Sequence, residues 1–141
     1  MATISNVRLS IQKGGGGSRR SVSVRYNVCY SACEILAGST FHSVVTLRGD
    51  DPLWDDYLIT LFSGCIKAAE GCPQYAVDAS VSRSTLDEDG DTIIEIFGWK
   101  IAQFADQDEI YAHVELTPFQ PTGGSANSNI VTGQWGDAGG D

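Results

Sequence analysis

The chain has 141 residues, 42% of them hydrophobic, and sets 18 acidic against 9 basic side chains for a net charge of −9. That length suits one domain with a core of its own, and the composition excludes global disorder. The acidic balance argues against nucleic-acid and anionic-membrane partners, which call for a basic face.

The opening stretch "MATISNVRLS" alternates polar and apolar residues and lacks the unbroken apolar core of a secretory signal. No run of about 18 apolar residues is present to cross a bilayer. The expected setting is cytoplasmic synthesis without a signal peptide, with later incorporation into a virion or other extracellular particle.

In chain order, "NVRLSI" sets Val7, Leu9 and Ile11 on one parity. "SVSVRYNVCY" follows with Val22, Val24, Tyr26, Val28 and Tyr30 against a polar opposite parity. Period-two alternation in β-branched and aromatic residues predicts half-buried strands. "TFHSVVTLR", "YAVDASV" and "EIYAHVEL" repeat it, and "DYLITLF", "TIIEIFGW" and "NIVTGQW" are weaker candidates. Eight strands result, with no firm helix, although "WDDYLITLF" and "CIKAAEG" each have room for a helical turn. Gly, Pro, Asn and Asp clusters separate the runs, as turns require. An all-β antiparallel β-sandwich of about eight strands is the expected fold, in one domain over residues 1–135 with a Gly-rich tail at 136–141.

Between the first two strands lies "KGGGGS", the composition of a flexible linker. Its flanks alternate in the same way, so it reads as a solvated hairpin loop. Closure entropy varies slowly with length, so trimming two glycines should cost under about 1 kcal/mol.

The segment "DEIYAHVELTPFQPTGGSANSNIVTGQW" resembles the final hairpin of a fibronectin type III or immunoglobulin-like sandwich, where an x-Y-x-V-x-L strand leads through a Gly/Ser loop to S-N-x-V. The resemblance covers about the last thirty residues. The chain departs from that family in lacking an early-strand Trp, and residues 86–107 exceed what a seven-strand version needs. The resemblance implies a binding or spacer module rather than an enzyme.

Candidate chemistry is sparse. Calcium takes six to eight hard oxygens, and the acidic loops offer Asp50, Asp51, Asp55 and Asp56, then Asp87, Asp89 and Asp91, with Asp106 and Asp108 further on. The competing reading is that these are solvated turns. Cys29 and Cys33 are one local pair and Cys65 and Cys72 another, without zinc-ribbon spacing. A Cys65–Cys72 disulfide competes with four reduced thiols. "RGD" at Arg48–Asp50 falls at a strand end, where a Gly-Asp turn is expected anyway. His42 and His113 lie opposite their strands' apolar parity, and no nucleophile elbow or phosphate loop is present.

A small acidic sandwich of this kind fits a repeating particle. The expected role is a non-enzymatic structural or decorating subunit of a phage-like particle, injection device or filament. Its expected partner is protein, through self-association or a larger assembly, with no cofactor unless calcium binds. A soluble adhesion or ligand-binding module, calcium-dependent if the Asp loops converge, is the alternative. In the tail, Trp135 shares parity with Val131 and is expected to plug the sandwich end. Trp135, Gly136 and Asp137 are candidate assembly contacts, because 136–141 holds no core-forming pattern.

Overall fold

The computed structural model describes residues 1–15, 17–50, 55–87, 91–96, 99–105, 107–118 and 124–141, and within 91–105 the backbone alone. Strands β1 (Thr3–Ile11) and β2 (Arg19–Cys29) form the first hairpin. Helix α1 (Ala32–Leu36) leads to β3 (Thr40–Gly49), β4 (Asp56–Lys67) and β5 (Gln74–Ser82). Helix α2 (Arg83–Leu86) precedes β6 (Asp91–Ile96), β7 (Trp99–Ala105), β8 (Asp108–Pro118) and β9 (Gly124–Gly133).

Seven strands make two antiparallel sheets, ordered β1-β2-β5 and β4-β3-β8-β9. The stretch expected as one strand at "TIIEIFGW" supplies β6 and the start of β7, which pair with each other in a separate two-stranded ribbon. The eight-strand expectation is corrected accordingly: seven strands in the sandwich and two outside its ladders.

Alternation explains the core. Val22, Val24, Tyr26 and Val28 point inward from β2, Phe41, Val45 and Leu47 from β3, and Ile110, Ala112, Val114 and Leu116 from β8. A polar contact crosses between the sheets inside the core. The Tyr26 hydroxyl and Ser43 Oγ are 3.0 Å apart in the core, each satisfying the other.

Both helices are local devices. Ser31 and Glu34 form a capping box at α1, Ser31 Oγ accepting from the Glu34 amide at 3.1 Å and Glu34 Oε1 from the Ser31 amide at 2.8 Å. Ser82 caps α2 by accepting from the Thr85 amide. The "CIK" stretch with room for a helical turn instead continues β4 to Lys67.

Most of the glycine loop and much of the tail are exposed, as the sequence suggests, but between them they clasp a buried ion cluster. Arg20 lies on the inward parity of β2 and is 3% exposed. Its Nη1 donates to Gly17 O and Arg19 O, both at 2.9 Å, and its Nε to Asp141 Oδ2. The Asp141 carboxylate is fully enclosed. It also accepts from the Gly14 amide at 2.9 Å and stands 3.1 Å from Arg83 Nη2. Arg83 Nη2 donates further to Gly136 O at 3.0 Å and Gly139 O at 2.9 Å. Gly14, Gly15 and Gly17 all take positive φ, which lets their backbone wrap the ion cluster.

Residues 136–141 therefore fold back as a latch across the Gly loop and α2. Loop trimming is now expected to cost well beyond the ~1 kcal/mol of closure entropy. Urea titration of a two-glycine deletion checks this, and an unchanged midpoint contradicts it.

Trp135 does plug the sandwich end, 1% exposed and part of the core. Its amide donates to Asp108 Oδ2 at 3.0 Å, and a Cβ on Gly133 would sit 2.8 Å from its ring. Trp135→Ala is expected to cost roughly 3 kcal/mol by cavity formation. Thermal unfolding checks it, and a melting temperature equal to that of the parent contradicts it.

Candidate binding surface

The acidic loops do not converge on an ion site among the described residues, where no group of three or more His, Cys, Asp or Glu is close enough to hold a metal. Asp55 Oδ2 accepts from the Tyr111 hydroxyl at 2.5 Å, and the Asp50 amide donates to Glu109 O at 2.7 Å. Asp56 opens β4 opposite Gly49, and Asp87 is the C-cap of α2. Asp108 is fully buried beneath Trp135 rather than in a solvated loop. Asp51, Asp89 and Asp106 lie outside the described residues, as does the side chain of Asp91.

Burial, followed by the hydrogen bond and charge of Asp55, pushes the Tyr111 phenol up to about 12, so it stays a neutral donor. Arg48-Gly49-Asp50 does not project as a loop. Gly49 pairs with both Asp56 and Ile110, and Arg48 Nε donates to Thr46 Oγ1 at 3.3 Å.

The cysteine pairing is corrected. Cys29 is bonded to Cys72, tying the end of β2 to the turn before β5, while Cys33 and Cys65 are exposed free thiols. Cys65 lies in β4 opposite His42. Of the tail candidates, Gly136 is buried and Trp135 is in the core, which leaves Asp137 exposed.

The two seams of the sandwich differ. At β1/β9, Asn129 takes the place of a ladder: its Oδ1 accepts from the Leu9 amide at 2.9 Å and its Nδ2 donates to Leu9 O at 3.2 Å. Lys13 Nζ adds a bond to Thr132 O at 2.7 Å. At β4/β5 no sheet ladder joins the two edge strands. A cavity of about 280 Å³ opens there, lined by Tyr26, Leu61, Phe62, Ile66, Tyr75 and Val77 with Ala76 and Asp78.

Tyr75 and Val77 have the inward parity of β5, yet both remain half-buried because little packs beyond them. Tyr75 stacks on Tyr26 with centroids 5.5 Å apart, and its hydroxyl is 2.8 Å from that of Tyr30. Burial and this hydroxyl contact drive the Tyr30 pKa well up, so the phenol adds no charge beside the groove.

A second surface carries several hydroxyls. On the outer face of the three-stranded sheet, Ser10, Gln12, Ser21, Ser23, Asp78 and Ser80, together with Val22 and Ala79, line a shallow groove of about 590 Å³. Alternation marked the polar residues as outward, but the seam could not be read from one sequence: strand order decides which edges meet. No protein-family model, curated protein or solved structure matches the chain.

Proposed function

We propose that this chain is a non-enzymatic structural or decorating subunit of a phage-like particle, injection device or filament, joined to its own kind through the β4/β5 seam. One observation carries the reading. The β1/β9 seam is closed by side-chain bonds to backbone, whereas the opposite seam keeps an apolar groove between two unladdered edges. Exposed edges beside apolar surface are templates for strand pairing, and proteins that do not use them cover them.

The strand order supports an immunoglobulin or fibronectin III type of sandwich. With β1, β2, β3, β4, β5, β8 and β9 taken as A, B, C, C′, E, F and G, one sheet is A-B-E and the other C′-C-F-G. The C-terminal hairpin is then F–G, in keeping with its sequence resemblance. The Cys29–Cys72 disulfide supports residence outside the reducing cytosol, as in a released particle.

Sedimentation velocity of the full chain from micromolar to near-millimolar tests the reading. Concentration-dependent association, weakened by Ala76→Arg at the exposed rim of the groove, is expected. A chain monomeric throughout contradicts it.

The hydroxyl-lined groove favours the second reading, a ligand-binding module for a polyhydroxylated partner such as a glycan. Calorimetry with oligosaccharides, with and without calcium, separates the two.

A further inference from the structure

We propose that the β6–β7 ribbon of one copy adds to the free edge of β5 in the next, joining copies head to tail. This rests on the seam reading above and names its occupant.

Among the described residues, Asp91–Ile96 and Trp99–Ala105 pair with each other and ladder with neither sheet. A two-stranded ribbon is marginal in water and requires a third strand or a surface to pack on. Register puts the Thr92/Phe104, Ile94/Ala102 and Ile96/Trp99 pairs on one face, apolar at every position but Thr92. The opposite face holds Asp91/Ala105, Ile93/Gln103 and the oppositely charged Glu95/Lys100 pair, with Ile101 unpaired at the register shift between Ile94 and Glu95. Such a two-sided pattern belongs to a sheet with one covered face.

Strand β5 has the reciprocal deficiency. It pairs with β2 along one side and, among the described residues, with no strand along the other. In a constant-type immunoglobulin sandwich strand D covers this edge of E, and here β4 passes directly to β5. The lengths agree, since β6 has 6 residues and β7 has 7 against 9 in β5. An added ribbon would make a five-stranded sheet that extends past the groove.

Charge permits the contact. The chain as a whole is at −9, but Asp78 is the sole charged residue in β5, and the ribbon holds Asp91, Glu95 and Lys100. Self-repulsion is therefore small where the two surfaces meet. Donor and acceptor are different patches, so the contact is heterologous and propagates into a ring or filament rather than closing as a dimer.

Two variants test this beside the full chain. In one, residues 91–105 are replaced by a short Gly/Ser linker, leaving an acceptor without a donor. In the other, a proline blocks the β5 edge. Ala76→Pro and Ala79→Pro have opposite backbone parity, and the one that retains the parent melt is used.

Sedimentation velocity should show association of the parent and a loss of more than about tenfold in each variant alone. An equimolar mixture of the two variants should form a one-to-one complex that grows no further. A ribbon-less chain that associates like the parent overturns this proposal and leaves the seam reading standing, as does a variant mixture that stays monomeric. A parent that is monomeric throughout removes both. A monomeric parent whose ribbon-less form melts lower shows the ribbon docking within its own chain, which also overturns the proposal.

Discussion

Reduction of the Cys29–Cys72 disulfide should lower stability by about 4 kcal/mol. The bond closes a loop with a sequence separation of 43, and the loss of chain entropy in the unfolded state scales with the logarithm of that length. Domains of this kind have net stabilities of about 5–15 kcal/mol, so the reduced chain stands close to unfolding. The bond also holds the turn from which β5 departs, where Cys72 takes φ +49° and the Val28 amide donates to Pro73 O at 3.1 Å.

Urea titration with and without reductant measures the effect. Cys29→Ser and Cys72→Ser should each reproduce it, while Cys33→Ser and Cys65→Ser change stability by under about 0.5 kcal/mol. A large loss from Cys65→Ser would contradict this pairing.

The second large effect belongs to the tail latch. Removing one member of a buried ion pair costs about 3–5 kcal/mol, because the partner is left charged and uncompensated. Asp141→Asn leaves Arg20 and Arg83 facing each other without their carboxylate.

Burial resists ionisation of Asp141. The Arg20 hydrogen bond, the Gly14 amide and the charges of Arg83 and Arg20 outweigh it and hold the pKa below its ordinary value. The folded pKa is depressed, so the stabilisation is fully present above the unfolded value of about 3.9 and is lost as pH falls through the folded one. Thermal melts of parent and Asp141→Asn should therefore differ most near neutrality and converge in acid. A constant offset down to the acid limit would contradict the assignment. Deleting residues 136–141 should cost at least as much as Asp141→Asn.

The latch shows how far one sequence can be read. Arg20 shares the parity of Val22, Val24, Tyr26 and Val28, so alternation already placed a guanidinium on the core side of β2. A buried arginine calls for a carboxylate. Nothing local marked the partner as Asp141, 121 positions away at the end of a Gly-rich tail. The glycines look like slack in the sequence because composition reports freedom, not the use that a folded partner makes of it.

Strands were legible for a similar reason. Sheets and cores impose period two on residues such as Ile110, Ala112, Val114 and Leu116, and this survives without knowledge of neighbours. Helix α1 falls outside the two stretches with room for a helical turn: Ser31 and Glu34 three positions apart are its signal, but five residues carry no helical periodicity to draw attention. The disulfide partner, the Asp108–Trp135 contact and the open seam all depend on which strands become neighbours, and alternation is silent on that. On β5, Tyr75 and Val77 have the pattern of buried residues, and strand order alone leaves them half-buried.

The central claim is that the β5 edge is a contact surface for another copy. Amide hydrogen exchange of the full chain at low and high concentration tests it most directly. Concentration should slow exchange in β5, Gln74–Ser82, and in residues 91–105, while β9 and the Asn129-sealed seam stay unchanged. Exchange in β5 that is the same at both concentrations, or protection that appears at β9 instead, would contradict the account.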